Sequence, residues 1–368
     1  MRHILFIEPF YGGSHQEFTQ GLIAHSSHRI DCLTLPSCNW NWRLNGSAVY
    51  FSKMGILFDQ YDGIIVSGML RLSDLKALAG NSLPPVLVYF HETQLTYPRP
   101  LNEKRAMDSR LSMADITTAL CADRVAFNSK FHMTAFLSSI LEFMDSVPDY
   151  PISGIIDEIR DKSTVMFPGM DFKDFEKKTG TLDNKTPLVI WNHRWSYDKN
   201  AASFFYAVDV MIDKGIEFEL AILGECPGQR IPDVFKKAKE RLGKRVIQYG
   251  YVENRNAYID WLKRGTVAVS TAKQENFGMS MVEAMHYGCV PLLPKRLSYP
   301  EIIPERFHVD FLYSNQKEFH QKLHHILTEH ERFKVMSSII SKAMDFYSWP
   351  QRIEDYDREL ESLCRLKR

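Results

Sequence analysis

The sequence predicts an α/β protein built from two doubly wound, Rossmann-like domains facing a central cleft. Three observations predict it. Short apolar runs rich in Val, Ile and Phe alternate with segments of helical period, the pattern of right-handed βαβ units and a parallel sheet. The 368 residues suit two hydrophobic cores better than one. The alternation is interrupted once, by the lysine-rich stretch FKDFEKKTGTLDNKTP (172–187), which has no apolar periodicity and reads as a linker.

In the first domain, 1–171, strands are expected at HILFIEPF (3–10), RIDCLTL (29–35), GIIVSG (63–68), VLVYFH (86–91) and RVAFNS (124–129). Each is a nearly continuous apolar run, as a strand covered on both faces requires. Segments 104–120 and 130–144 have helical length and period, and STVMFPGMD (163–171) reads as the last strand. Gly12 and Gly13 follow the first strand directly. Ser14, with Glu17 three residues later, reads as a capping box opening a helix.

The second domain, 187–347, repeats the pattern. Strands are expected at PLVIWNHR (187–194), EFELAILG (217–224), RVIQYGYV (245–252), TVAVST (266–271) and CVPLLP (289–294), with helices over 199–213, 232–242, 254–264 and 279–287. The last segment, SWPQRIEDYDRELESLCRLKR (348–368), reads as a terminal helix with an acidic face and a basic end.

Bulk properties exclude several function classes. Lysine plus arginine and aspartate plus glutamate number 45 each, so a polyanionic partner must be held by a local patch rather than by net charge. Six cysteines with no C-x-x-C pair point to reduced thiols in a cytoplasmic protein rather than a zinc site or disulfide framework. No apolar run is long enough to span a bilayer. The first strand is expected almost at Met1, leaving no room for a signal peptide. DYD (355–357) mimics the D-x-D of metal-dependent transferases, but on a helix its two carboxylates point apart. No metal is expected.

Ligands of doubly wound sheets bind outside the carboxyl ends of the strands, so the loops there carry the chemistry. In STAKQENFGMSMVEAMHYG (270–288), Glu275 and Glu283 bracket a helix start at Gly278. Amides around Asn276, Phe277, Gly278 and Met279 would point at an anion, aided by the helix dipole. Glu283 lies about 6–8 Å along the helix from Gly278, the span from a diphosphate to the ribose of a nucleotide. Its paired oxygens suit two ribose hydroxyls, while Glu275 could face hydroxyls of whatever hangs from the diphosphate. In WNHRWSYDKN (191–200), Asp198 reads as a helix cap, and Arg194 and Lys199 put two cations where a departing diphosphate would gather charge.

The first domain supplies Gly12 and Gly13 for close backbone approach, His15 at the top of a helix, and His91 at a strand end before a long polar loop that includes Gln94. NWNWR (39–43) offers Trp40, Trp42 and Arg43. Taken as extended, it puts both indoles on one face, able to stack on an unpaired base or to form a packed aromatic pair. The basic clusters KKAKERLGKR (236–245) and RLKR (365–368) read either as phosphate contacts or as solvated faces.

This arrangement resembles the retaining GT-B glycosyltransferases, through Arg194, Lys199, Glu275, Gly278, Glu283, the Gly12–Gly13 pair and His91. More closely it resembles the tRNA-queuosine α-mannosyltransferase family, through IEPFYGGSHQEF, LTLPSCNWNWRLNGSAVYF, YFHETQLTYP and VAFNSKFHMTAFL. The resemblance implies GDP-mannose as donor substrate, with Glu283 on ribose, Glu275 on sugar hydroxyls, Arg194 and Lys199 on the diphosphate, and His91 beside the transferred sugar. It implies queuosine-containing tRNA as acceptor and helix 348–368 crossing back to the first domain. It also implies retained configuration by front-face attack, with no metal, no other cofactor and no obligate protein partner. His15, Trp40, Trp42, Arg43 and Gln94 are the acceptor-side candidates. Thr93 stands where the family usually has Asn, and Ser37-Cys38-Asn39 stands where it tends to carry basic residues. Two rival readings share these features: the same donor chemistry on a small or lipid-linked acceptor, and a non-catalytic nucleotide-sugar or RNA-binding module.

Overall fold

The structure is a computed structural model that describes residues 1–80, 83–98, 109–150, 152–172, 186–226 and 230–366. Most of the expected linker, and the start of the expected helix 104–120, lie outside the described residues. The chain divides into two compact units, Met1–Asp171 together with Tyr347–Arg368, and Phe172–Phe346.

The first unit holds six parallel strands: β1 (His3–Tyr11), β2 (Arg29–Pro36), β3 (Gly63–Ser67), β4 (Val86–Phe90), β5 (Arg124–Phe127) and β6 (Ser163–Val165), in the order β2-β1-β3-β4-β5-β6. Alternate strand residues feed two cores, as the two-residue period of a strand dictates. Leu5, Ile7, Ile64, Val66, Val88 and Phe127 pack on one side, under helices that include Trp40–Ser52 and Lys130–Asp145. Ile4, Phe6, Ile65, Leu87 and Tyr89 face the other side, against Phe18 and Leu22 of helix Gly13–His25 and against the terminal helix Trp349–Cys364.

That terminal helix is fitted to its seat. Trp349 is 1% exposed and lies where side chains at Gly21 and Gly169 would sit: a Cβ would come within 1.8 and 2.2 Å of its ring. The Tyr356 hydroxyl donates to the Phe167 carbonyl at 2.9 Å. Asp357 accepts from the Ser26 hydroxyl at 2.6 Å and the Ser27 amide at 2.9 Å, while Asp355 pairs with Arg352 at 3.0 Å. The two carboxylates of DYD thus serve helix docking and a helix-surface ion pair.

The second unit holds β7 (Leu188–Asn192), β8 (Glu219–Leu223), β9 (Val246–Gly250), β10 (Val267–Val269), β11 (Val290–Pro294) and β12 (Leu312–Tyr313), all parallel, in the order β12-β11-β10-β7-β8-β9. The order reverses between β1 and β3 in the first sheet and between β7 and β10 in the second. Those are the points where a doubly wound sheet opens a crevice for a ligand.

Two local expectations are corrected. The helix after β1 begins at Gly13, with Gly12 at its cap and no side-chain cap hydrogen bond, so Ser14 and Glu17 form no capping box there. The backbone sets this start: Gly13 has φ +53, and a Cβ on Gly12 would meet Ser37 Oγ at 2.0 Å. The last strand of the first unit stops at Val165 instead of running through 163–171. Pro168 has no amide for a ladder, and Met170 pairs instead with Ser348. Among the described residues no helix is long and apolar enough to cross a membrane.

Candidate active site

In the second unit the loops after β7 and β10 meet at the reversal of strand order. Asn192, the last residue of β7, donates from Nδ2 to the Tyr258 hydroxyl and to the Ser280 carbonyl, both at 3.0 Å. The next peptide is pinned from the far side. Gly224 has φ +115, and a Cβ there would come within 1.9 Å of the His193 carbonyl, so the loop after β8 touches the loop after β7 only because residue 224 is glycine. His193 is buried, and burial, then the Lys199 charge, pull its imidazole down to about 3. It is neutral at physiological pH.

Asp198 does not cap the following helix, as its place before Lys199 had suggested. The Ser196 hydroxyl donates to it at 2.6 Å, and Tyr197–Lys199 form a single 3-10 turn. Asn200 takes φ +52, and the helix opens at Ala201. The carboxylate instead lies 3.2 Å from Lys199 Nζ. Burial raises its pKa, but Lys199, Ser196 and Arg194 outweigh that and hold it below the ordinary value. The carboxylate is taken up by the Ser196 hydroxyl and the Lys199 ammonium, away from the amides of the helix start.

Lys199 is the centre of the cluster. It is 8% exposed, and its Nζ sits 2.9 Å from the Gln274 carbonyl, 3.0 Å from Glu275 Oε2 and 3.2 Å from Asp198 Oδ2. Burial lowers its pKa, yet Glu275 and Asp198 more than reverse this, and the net shift is upward. The group is a fixed cation. Arg194 is exposed on the same loop, and its charge is felt at both Asp198 and Lys199.

The loop after β10 is braced from within. Gln274 Nε2 donates to Asn276 Oδ1 at 2.9 Å, the Ser298 hydroxyl donates to the Phe277 carbonyl at 2.9 Å, and Phe277 is buried. Gly278 has φ +98, and a Cβ there would press on the Tyr299 ring at 3.3 Å. Helix Met279–His286 starts at the next residue. Its first intrahelical bonds run from Met281 and Val282 to the Gly278 carbonyl, so the amides that precede them belong to the dipole's positive end.

Glu283, buried on that helix, is engaged by two groups that sequence reasoning missed. Arg255 forms an ion pair with Oε1, and the Tyr258 hydroxyl donates to Oε2 at 3.2 Å. Both come from helix Arg255–Arg264, which follows the carboxyl end of β9. Their three-residue spacing, which puts them on one helix face, was the available signal.

The first unit presents a second cluster at its own reversal point. Glu8, near the carboxyl end of β1, is fully buried. Its Oε1 accepts from the Ser67 hydroxyl and the Phe10 amide, both at 2.9 Å. Its Oε2 lies 3.0 Å from His15 Nδ1 and 3.8 Å from His91 Nε2, and the two imidazoles pack with centroids 4.1 Å apart, tilted by 35°. Burial, then the charges of His15 and His132, hold the His91 pKa well below its ordinary value. Asn128 Nδ2 donates to the His91 carbonyl at 2.9 Å. Asp115, on helix Ser109–Cys121, accepts from the Leu95 amide of the following loop at 2.9 Å and from the Gln94 amide, and burial pushes its carboxyl up to about 7. Thr93 is buried, its hydroxyl 2.8 Å from that of Thr96.

The segment read as extended NWNWR is helical. Asn39 takes φ +51, and helix Trp40–Ser52 begins at once. Residues two apart on a helix diverge, so the indoles do not share a strand face. Trp40 and Trp42 are 42% and 69% exposed, and with Asn39, Asn41 and Asn45 they line a shallow hollow. Arg43 turns back, donating to the Pro36 carbonyl at 3.0 Å and to Cys38 Sγ at 3.1 Å. Much of the basic cluster 236–245 is engaged locally: Arg241 pairs with Asp209, Arg245 with Glu217, and Lys239 lies over the Tyr249 ring.

Residues 3–170 match the family described as tRNA-queuosine alpha-mannosyltransferase N-terminal, and residues 172–342 match Glycosyl transferases group 1. A Drosophila melanogaster tRNA-queuosine alpha-mannosyltransferase is 33% identical over 332 residues, covering 88% of this chain and 86% of its own. The chain belongs to the tRNA-queuosine alpha-mannosyltransferase family. A Mycobacterium tuberculosis GDP-mannose-dependent alpha-(1-6)-phosphatidylinositol dimannoside mannosyltransferase is 23% identical over 250 residues, 66% of this chain and 59% of its own. Among solved structures, sucrose-phosphate synthase from Thermosynechococcus elongatus superposes with TM-score 0.74 at 13% identity over the whole of both chains. Anabaena HepE in complex with UDP and glucose does so with TM-score 0.69 at 14% identity, covering 98% of this chain and all of its own. These likenesses give this member of the queuosine mannosyltransferase family the GT-B glycosyltransferase fold. Both clusters fall within its matched segments.

Proposed function

We propose that the protein moves mannose from GDP-mannose to queuosine in the anticodon loop of tRNA, in the cytoplasm, with retention at the sugar carbon. The observation that carries the donor half is the Lys199 ammonium, fixed by Glu275 and Asp198 at the switch point of the second sheet. The sugar's bond to the diphosphate breaks, and the acceptor hydroxyl oxygen bonds to the same carbon from the same face. The acceptor's proton passes to the departing phosphate oxygen. Lys199, Arg194 and the amides at Gly278 meet the charge that develops there, so the reaction calls on no metal and no further cofactor. Glu275 then orients sugar hydroxyls and Glu283 the ribose. Family membership supports the acceptor, and the exposed indoles on the helix that opens at Trp40 are its contact.

Incubation with GDP-mannose and queuosine-bearing tRNA, followed by nucleoside mass analysis, tests the whole reading. A hexose adduct on queuosine is expected. Its absence, with donor binding intact, removes the tRNA assignment, and RNA-independent turnover would point to another acceptor. A thermal-shift screen of GDP-, UDP- and ADP-sugars decides the donor, with stabilisation expected from the GDP sugar.

Two substitutions separate the roles. Glu283→Ala should raise the donor KM by roughly tenfold or more, the worth of a charge-assisted hydrogen bond of about 1.5–3 kcal/mol. A donor KM equal to wild type would remove the ribose role. Trp42→Ala should raise the KM for tRNA, since stacking on a base is worth about 1–3 kcal/mol, while leaving donor hydrolysis unchanged. Equal loss of both would assign Trp42 to packing.

A further inference from the structure

We propose that Glu8 is a positioning residue for the transfer reaction: its buried carboxylate fixes the tautomer and orientation of His15, against which the His91 ring packs. The inference rests on the reading that these two imidazoles meet the acceptor or the transferred sugar.

The geometry divides the work between the two carboxylate oxygens. Oε1 is consumed by the Ser67 hydroxyl and the Phe10 amide, which lock the carboxylate plane across the gap between β1 and β3. Oε2 is left aimed at both imidazoles, 3.0 Å from His15 Nδ1 and 3.8 Å from His91 Nε2. An ionised carboxylate only accepts hydrogen bonds, so the proton of His15 must sit on Nδ1, leaving Nε2 an acceptor for a substrate hydroxyl. A fully buried carboxylate is costly to keep unless it is paired and hydrogen-bonded. Here three other elements converge on it: β3 through Ser67, helix Gly13–His25 through His15, and the residue after β4, His91. Packing then completes the alignment. His91 packs tilted against His15 and is edged by Phe18 and Tyr89 at ring distances of 4.9 and 4.8 Å, while Phe10 edges His15 at 5.7 Å.

His15 meets Glu8, His91 and Phe10. His91 meets Glu8, His15, Phe18 and Tyr89, with His132 close enough for its charge to be felt. Glu8 is the carboxylate hydrogen-bonded to His15, so its removal has a definite sign there: the His15 imidazolium loses its stabilising charge, and its pKa falls. The same three ligand atoms lie within 4.8 Å of one another, so a divalent cation is the rival occupant and belongs in the test.

Glu8→Gln keeps the shape of the side chain and an oxygen for Ser67 and Phe10, and removes the charge. It is expected to lower kcat by about 10–100-fold, the usual effect of removing an outer partner of a functional histidine. The donor KM should stay within about twofold and the acid limb of the pH profile should move to lower pH. Glu8→Asp should recover part of kcat. Nitrogen-15 histidine spectra of the wild-type protein should show His15 protonated at Nδ1, and Glu8→Gln should mix the tautomers. An Nε2-protonated His15 in the wild type, or an unmoved pH profile in Glu8→Gln, overturns the proposal. So does a stoichiometric divalent cation retained on purification. The spectra need no turnover, so failure of the acceptor assignment and failure of the Glu8 role are told apart.

Discussion

Lys199→Met is expected to reduce kcat/KM by about two to three orders of magnitude, the range for losing a fixed charge that stabilises a developing anion, about 2.7–4 kcal/mol. The substitution keeps the alkyl chain and deletes only the ammonium. Two losses then combine. On the proposed reading the leaving diphosphate loses a buried cation, and Glu275 and Asp198 lose their shared partner. Breaking a buried pair from one side costs about 3–5 kcal/mol when both charges are fully desolvated. The Glu275 side chain is 18% exposed, which places the stability loss at the low end of that range. Glu275→Gln in the same background separates the two effects. If Glu275 acts chiefly by holding Lys199, the pair should show a coupling of about 0.5–3 kcal/mol in a double-mutant cycle on kcat/KM. Strict additivity would mean that the ion pair is incidental and Glu275 works on sugar alone.

The pH dependence of that cluster has a worked sign. Lys199 is raised above its ordinary 10.5 in the folded state, so its stabilisation is complete below that value and disappears as pH climbs through the folded pKa. Asp198 is depressed below its ordinary 3.8, so its share is complete above that value and disappears as pH falls through the folded pKa. Between those limits the Lys199–Asp198 ion pair holds constant charge. Any bend in the rate profile near neutrality therefore comes from other groups. In the first unit Asp115, whose carboxyl burial pushes up to about 7, is the first to examine, and the Glu8→Gln profile separates from it any part that depends on the Glu8–His15 contact.

How much of this was written legibly in the chain varies with the range of the interaction. Parallel strands announce themselves because both faces are covered, and the residues of β3, β4 and β7 read as unbroken apolar runs. The loop carrying Glu275, Gly278 and Glu283 was legible for a similar reason: a glycine between a strand end and a helix start is a local signal. Partners were not. Arg255 and Tyr258 reach Glu283 from a helix more than twenty residues earlier, and their shared helix face, the one local signal, does not say which acid they meet. Glu8 was hidden by its own strand, since one acid inside HILFIEPF looks like an irregularity in an apolar run. Its meaning appears only when Ser67, His15 and His91 arrive from three other elements. The Trp40 segment failed differently. Aromatic residues favour strands and Gly46 disfavours a helix interior, yet burial of Leu44, Ala48 and Phe51 against the sheet outweighed both. Burial also turned Asp198 from a cap into a counter-ion.

The largest stability effect is expected from the end of the chain. Trp349→Ala should destabilise the first unit by about 3–5 kcal/mol, the usual cost of emptying a buried aromatic site. The reason is architectural. One face of the first sheet is covered by helix Gly13–His25 together with the terminal helix, whose Trp349, Tyr356, Leu360 and Leu363 all belong to that core. Gly21 and Gly169 have given up side chains for the Trp349 ring, so no neighbour is shaped to fill the space if the indole is removed. Gly21→Ala attacks the same joint from the other side, because its Cβ would fall 1.8 Å from the indole nitrogen. The two single variants should therefore resemble each other in a denaturation experiment. Their double variant should be less unstable than the sum, since a methyl group at residue 21 partly fills the void left at 349. A Trp349→Ala protein within about 1 kcal/mol of wild type, a shift ordinary for an exposed position rather than a core one, would mean that the terminal helix merely rests on the sheet. Additive losses in the double variant would mean that residues 21 and 349 do not share one packed site.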